Sequence, residues 1–402
     1  MKYLLILADG MADYLIPELG NKTPLQVANT PNMDKLAKSA LIGTVKTIPE
    51  GYPPGSDVAN LSVMGYDPRT YYTGRSPLEA VSMGVALGDN DLALRCNLVT
   101  LSDEKNYQDK TMLDYSSGEI SSDESGQLMA AINQELGNNE LKFYAGVSYR
   151  HLLVWQNGSN RSFTLTPPHD ISDRKVTDYL PAGKDGKVLL DLMVKSESIL
   201  KNHPVNQARI KKGLRPATSI WFWGEGRKPS LNSFPAKYGL KGSVVAAVDL
   251  VKGLGICAGL KSVTVEGATG GIVTNFAGKA RAALDELKAG QDFVYMHIES
   301  PDESGHQGEL KTKIWSIEQV DKEVVGLVLS EMDEFEELRI MLLPDHPTPL
   351  SVRTHTSDPV PYLIYDKNHP VSSSTGEYDE QSALNGQAFG SGYELMDYFI
   401  RS

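Results

Sequence analysis

The stretch Arg339–Pro361, RIMLLPDHPTPLSVRTHTSDPVP, carries the reading of the whole chain. It opens on an apolar run, Ile340–Leu343, stopped by Pro344, which predicts a buried strand. Asp345 and His346 follow at once, and His355 comes nine residues after His346. One carboxylate and two imidazoles on a Pro-rich loop suit a divalent transition ion. A lone Asp-His pair after a strand is more often an ordinary polar loop. Here, however, the layout recurs. Lys2–Leu7 is an apolar run that ends at Asp9, and Asp292–Ile298 is another, followed by Asp302 and His306. Open parallel sheets bind ligands just outside the carboxyl ends of their strands. Three strands that deliver acids and histidines at those ends predict one shared metal centre.

The 402 residues exceed what one core usually supports, so two domains are expected. A hydrophobic content of 41% is ordinary for a globular protein. The net charge of −12 excludes a general nucleic-acid binder, which needs a basic face. It also requires an anionic substrate to be drawn in by local cations. Cys96 and Cys257 lie far apart without spacing partners, which excludes a disulfide framework and argues against a Cys-based zinc site. The run Tyr3–Ala8 is too short for a signal segment and stops at Asp9-Gly10, and no apolar run reaches membrane-spanning length. The expectation is a soluble, reduced, cytoplasmic protein with no nucleic-acid and no membrane partner.

Along the chain, Thr30-Pro31 predicts a helix start, with Met33, Leu36 and Ala37 on its buried face. In the Pro- and Gly-rich stretch Ile48–Pro68, Ser56 follows Gly55 and precedes Asp57-Val58-Ala59-Asn60-Leu61. This predicts Ser56 as a helix N-cap, a place where unpaired backbone N–H groups also suit a phosphoryl group. The texture changes near Leu78. Strands are expected at Leu92–Leu101 and His151–Gln156 and an amphipathic helix at Gly126–Leu136, with Ser- and Asp-rich loops between. Residues 79–189 are therefore read as an inserted α+β domain. Beyond it come a helix at Val188–Lys201, strands at Ile220–Trp223 and Val244–Ala247, then Asp249 and Lys252, and a helix at Lys279–Leu287. That alternation predicts an α/β fold, a doubly wound, mostly parallel sheet built from 1–78 and 190–402.

The segments LADGMAD, PPGSDVANLSVMGYDP, YYTGRSPLEA, HPVNQAR, IWFWGEG, VDLVKG, EGATGG, PDESGH, PDHPTP and HTSDPVP occur in this order over nearly the whole length. In them the chain resembles the archaeal-type cofactor-independent phosphoglycerate mutases of the alkaline phosphatase superfamily. The resemblance implies an alkaline phosphatase-like core and two divalent ions, commonly manganese with zinc, cobalt or magnesium as alternatives. It implies no use of 2,3-bisphosphoglycerate. It places Asp302, His306 and His355 on one ion, and Asp9, Ser56, Asp345 and His346 on the other, with Ser56 as nucleophile. Those residue types fit the chemistry: paired cations ease ionisation of a hydroxyl and neutralise phosphoryl oxygens. Lys252 is placed on the phosphate by the same resemblance. Arg75, Arg95, Arg150 and Arg209 are the candidates for gripping a substrate carboxylate or phosphate, because a guanidinium can do so bidentately; a surface salt bridge is the alternative for each. His151, His169, His203, His297 and His369 lack the strand-end context and are read as structural.

Two positions depart from the family pattern. Asn60 stands where relatives often have His, and Glu299 where they often have Lys. An acid in place of a base near the site leaves the phosphoryl acceptor open. The expected function is interconversion of 3- and 2-phosphoglycerate through phospho-Ser56, with the substrate, a small phosphorylated metabolite, held by the insert. A homoserine kinase-like phosphotransferase using the same serine is the alternative, although Gly271–Lys279 imitates a P-loop only loosely, with Ala280 where Ser or Thr is needed. A non-catalytic metal-binding protein is the third reading; it predicts a broken ligand set, and all seven expected ligands are present.

Overall fold

The computed structural model describes residues 1–372 and 376–402. Among them the strands run, in chain order, Lys2–Ala8 (β1), Ala40–Val45 (β2), Leu92–Leu101 (β3), Met112–Asp114 (β4), Leu141–Tyr144 (β5), Arg150–Trp155 (β6), Ser219–Gly226 (β7), Gly242–Val245 (β8), Lys261–Val263 (β9), Phe293–Ile298 (β10), Leu338–Leu343 (β11), Val360–Asp366 (β12) and Gln387–Phe389 (β13). The chain divides into two compact units, Met1–Tyr72 with Ser230–Ser402, and Thr73–Pro229.

The first unit is built on an eight-stranded sheet in the order β13-β2-β12-β11-β1-β10-β8-β9. The run from β11 through β9 is parallel, as is the β13–β2 pair, while β12 pairs antiparallel with both neighbours. This is the mostly parallel α/β sheet expected. Its three central strands, β1, β10 and β11, are continuous apolar runs because they are covered on both faces. Leu4, Ile6 and Ala8 pack on one side with Met33 and Leu36, with Ala283 and Leu287 of the helix Phe276–Lys288, and with Ile317. On the other side Tyr3 meets Phe399 edge-on at 5.5 Å. Phe399 lies on the helix Gly392–Arg401, which starts at a Ser391 cap accepting from Glu394 N and buries Leu395, Met396, Phe399 and Ile400. Parallel pairing aligns the carboxyl ends of these strands: Ala8 faces Ile298 and Leu7 faces Leu343. Residues just past 8, 298 and 343 must therefore converge.

The second unit carries an antiparallel sheet in the order β4-β3-β6-β5, with β7 also paired to β3. Its own core gathers Leu94, Cys96 and Leu98 with Leu128 and Ile132 of the helix Ser122–Leu136, and with Leu189 and Met193 of the helix Gly186–Lys201. Here the structure departs from the sequence reading. The expected insert ended at 189, and the helix near 188–201 and the strand near 220–223 were assigned to the parallel sheet. Instead β7 pairs antiparallel with β3, Phe222 opposite Cys96 and Ile220 opposite Leu98, and the helix packs on β7 within the same core. The unit thus extends to Pro229. Alternation of strand and helix signals says what the elements are but not which sheet a strand joins. The two ends of the unit meet: Arg227 N donates to Thr73 O (3.1 Å) and Thr73 Oγ1 donates to Arg227 O (2.6 Å). No helix among the described residues is long and apolar enough to cross a membrane.

Candidate active site and metal centre

All seven ligands expected from the sequence lie in the first unit, at the carboxyl edge of its sheet. Asp9 directly follows β1, its N–H donating to Ile298 O (2.9 Å). Gly10 then turns the chain at φ +61°, and a β-carbon there would come within 2.5 Å of Asp302 Oδ1 and Thr348 Oγ1. Asp302 and His306 share one face of the helix Ser300–Gln307 by their i, i+4 spacing. Asp345 and His346 follow β11, and His355 comes from the loop beyond. Ser56 is the first residue of the helix Ser56–Val63; the N-cap position expected for it belongs to Gly55. Ser56 Oγ lies 3.1 Å from His346 Nε2.

The side chains form two overlapping groups, Asp9–Asp345–His346 and Asp302–His346–His355, whose ligand atoms lie within 4.8 Å of one another. His346 stands between them rather than in one. His306 Nε2 adds to the second group, 3.2 Å from Asp302 Oδ2 and 2.9 Å from His355 Nε2. The donor chemistry fits a cation. Thr348 donates its hydroxyl proton to Asp302 Oδ1, so toward His346 Nδ1, 3.3 Å away, Thr348 can only accept. The Nδ1 proton is thereby assigned, and His346 Nε2 is left with a bare lone pair. That lone pair faces Asp345 Oδ2 at 3.3 Å and Asp9 Oδ1 at 3.6 Å. Asp9 Oδ1 is buried without a hydrogen-bond partner. Three electron-rich atoms so close in a buried place need a positive charge among them. His306 Nδ1 donates to Arg353 O (3.1 Å), which orients the ring so that Nε2 is the atom facing Asp302 and His355.

The charge environment is uneven. Burial, and then the neighbouring Asp345 and Asp302, push the Asp9 carboxyl well above the usual range. Burial would also raise Asp302, but hydrogen bonds from His306 and His355 outweigh it and hold Asp302 well below that range. Burial lowers His346 to about 4, which agrees with a neutral ring.

Behind the ligands lies a set of fixed polar groups. Asn60 Nδ2 donates to Asp345 Oδ2 (2.8 Å) and to Ser56 O (2.9 Å), while Tyr295 Oη donates to Asn60 Oδ1 (2.7 Å). Asp345 Oδ1 accepts from Gly10 N and His346 N. Lys313, fully buried, donates to Asp13 Oδ2 (2.8 Å) and Thr348 O (2.8 Å), and so pins the loop that follows His346. His297, read from the sequence as structural, faces Asp9, and Glu299 faces His297 and Lys279. Glu299 is 3% exposed and ion-paired, so it is not the substrate-facing acid that had left the acceptor open. Its carboxyl sits near 2, because Lys279 and His297 overcome the burial that would raise it. One sequence signal for this set existed: Tyr295 and His297 alternate on one face of an otherwise apolar strand, and Glu299 follows just past its end.

The remaining candidates scatter. Lys252 sits, half-buried, in the first turns of the helix Asp249–Cys257 that follows β8. The four arginines all belong to the second unit. Arg75 Nε and Arg95 Nε share the buried Glu79 (3.0 and 2.8 Å), and Arg95 lies 4.6 Å from the centre of the Trp223 ring. Burial, and the nearby charges of Arg75 and Arg150, lower Arg95 to about 10 despite Glu79. Arg150 is exposed. Arg209 is buried and donates to Glu124 Oε2, Ser117 O and Arg215 O, which ties three segments of the unit together. His203 caps the helix Pro204–Lys211, His151 Nδ1 accepts from Gly146 N, His169 lies edge-on to Trp223, and His369 is exposed beside Asp366. Cys96 is buried in the core of the second unit and makes no disulfide.

A sheet whose carboxyl edge gathers a serine, three aspartates and three histidines is that of a metal-assisted phosphoryl-transfer enzyme. Known proteins give the particular family. Residues 37–206 match a family described as 2,3-bisphosphoglycerate-independent phosphoglycerate mutase. A Geobacter sulfurreducens protein, described as a probable member of the same kind, is 50% identical over 401 residues, covering 100% of both chains. A solved Pyrococcus horikoshii structure is 31% identical with a TM-score of 0.82, over 99% of this chain and 96% of that one. The cofactor-independent phosphoglycerate mutase of Thermoplasma acidophilum is 26% identical with a TM-score of 0.66, over 100% and 99%. The chain belongs to the 2,3-bisphosphoglycerate-independent phosphoglycerate mutase family, isomerases of glycolysis.

Proposed function

We propose that the chain interconverts 3- and 2-phosphoglycerate by passing the phosphoryl group through Ser56. Ser56 Oγ forms a bond to phosphorus while the bond from phosphorus to the glycerate 3-oxygen breaks, and the serine proton leaves with that oxygen. Glycerate re-orients, its 2-hydroxyl oxygen bonds to phosphorus while the Ser56 Oγ–phosphorus bond breaks, and the 2-hydroxyl proton passes to Ser56 Oγ. Atoms balance without nucleotide or 2,3-bisphosphoglycerate. Asp302, His306 and His355 would hold one divalent ion, and Asp9, Ser56, Asp345 and His346 the other. Such ions lower the proton affinity of a bound hydroxyl and neutralise phosphoryl oxygens. The mixed carboxylate and imidazole donors suit manganese, with cobalt, zinc or magnesium as competitors.

The observation that carries this reading is Ser56 at the first turn of its helix, its hydroxyl 3.1 Å from the unprotonated Nε2 of His346, to which it can donate. Amides in a first turn lack intrahelical partners, which favours an anion there. Lys252, which makes no side-chain hydrogen bond or ion pair among the described residues, is assigned to a phosphoryl oxygen. Arg95 and Arg150, with Arg75 beside them, supply the cation density that a phosphoglycerate anion requires, and are assigned to the substrate. Arg209 is left out, since its donors are taken. Two cysteines without spacing partners fit a reducing, cytoplasmic setting.

A quenched single turnover of the manganese-loaded protein with labelled 3-phosphoglycerate, followed by peptide mapping, tests the proposal. Label is expected on Ser56, with ATP and homoserine without effect and chelator abolishing turnover. Turnover in excess chelator with no bound metal, or label on no serine, would overturn it.

A further inference from the structure

We infer that His297, clamped by the buried Glu299–Lys279 pair, is a positioning residue that commits Asp9 to a single ligand oxygen. The inference rests on the metal-dependent reading above and adds to it. His297 is 1% exposed, and each of its ring nitrogens faces a carboxylate: Nε2 is 3.1 Å from Asp9 Oδ2 and Nδ1 is 3.2 Å from Glu299 Oε1. Glu299 is in turn held by three donors. Its Oε2 accepts from Lys279 Nζ, and its Oε1 accepts from Ala247 N (3.3 Å) and Val248 N (3.2 Å). Lys279, fully buried on the helix Phe276–Lys288, also donates to His297 O (3.1 Å). Four buried groups thus alternate in charge type from that helix to Asp9.

The consequence falls on the two oxygens of Asp9. Oδ2 lies within ion-pair distance of His297 Nε2, although neither ring nitrogen meets hydrogen-bond geometry, and Oδ1, which has no hydrogen-bond partner either, is the oxygen on the His346 side. A carboxylate with both oxygens free could rotate, or bind through both. With Oδ2 beside the His297 ring, Oδ1 is the oxygen placed toward an ion. Glu299, in place of a base, belongs to this clamp, its charge met by the buried Lys279.

The test uses the full chain stripped of metal and titrated with manganese, bound ion being read by the loss of the free-ion electron paramagnetic resonance signal. Relative to wild type, His297→Phe and Glu299→Gln are each expected to weaken binding about 10–100-fold. His297→Gln, whose amide N–H can still donate to Asp9 Oδ2, is expected to recover most of that loss. Circular dichroism of the metal-free proteins establishes that the variants are folded, and Glu299→Gln serves if His297→Phe is not. Wild-type manganese affinity in both His297→Phe and Glu299→Gln would overturn the inference. So would a His297→Gln variant no better than His297→Phe, because packing alone would then account for the residue. Wild-type protein that binds no manganese would instead overturn the metal-dependent reading itself.

Discussion

Two serines of one helix, Ser56 and Ser62, differ in what surrounds them, and the difference separates their chemistry. Ser62 is fully buried and its Oγ accepts from Gly392 N, so no substrate reaches it. Ser56 opens the helix beside His346. Ser56→Ala is expected to abolish phosphoryl transfer, and a rate assay should show a fall of at least about 1,000-fold. Manganese titration should still show ions held by the other ligands. At the same scale, Glu380 is held near pH 7 rather than its usual 4.5, mainly by burial. Its oxygens accept from Asp13 N and from Thr23 Oγ1. A raised carboxyl means that the folded chain keeps a proton which the unfolded chain has released. Stability from this group is therefore complete below about pH 4.5 and is lost as pH rises to about 7. Glu380→Gln, which cannot ionise, should be the more stable protein at pH 8 by about 1–2 kcal/mol and show a flatter profile between those limits. The partial exposure of the residue screens the remainder. Urea titrations at pH 5 and pH 8 measure the effect.

Single elements position the ligands through their ends. Strand register brings Asp9, Asp302 and Asp345 to one edge, and Gly10 lets β1 pass close beneath the helix Ser300–Gln307. Gly10→Ala adds a methyl group that meets the Asp302 backbone as well as its carboxylate, at a left-handed φ. The left-handed conformation alone costs about 1–3 kcal/mol. The clash should displace Asp302, so manganese affinity should fall even where the variant folds. Calorimetric metal titration alongside a thermal melt separates the two effects.

At the scale of the whole molecule, the described residues form two compact units, and only the first holds the ligands. The ends of the Thr73–Pro229 unit are hydrogen-bonded to one another, so excision leaves no open chain to close. The fragment 73–229 is expected to fold alone, with a cooperative melt that manganese does not move. In the intact chain, manganese at about 100 times its dissociation constant should stabilise the other unit by about 2.7 kcal/mol. Calorimetry should then show only one of two transitions shifting with metal. One transition that shifts as a whole would mean that the units unfold together.

Much of this was legible along the chain, for a physical reason. Strand, helix and ligand signals are local: an apolar run bounded by Pro344, an i, i+4 Asp302–His306 pair, and a serine after Gly55 each need only a few neighbours to be read. The family segments extend that reading over nearly the full length. What the sequence could not decide is which distant groups share a charge or a sheet edge. Whether β7 joins β3 or the parallel sheet depends on packing between faces that are equally apolar. The role of Asn60 rests on an Asp345 that lies 285 residues away. Glu299 reads as an anomaly until Lys279 and His297 stand beside it, because a buried acid takes its meaning from partners that only the folded chain brings within about 3 Å.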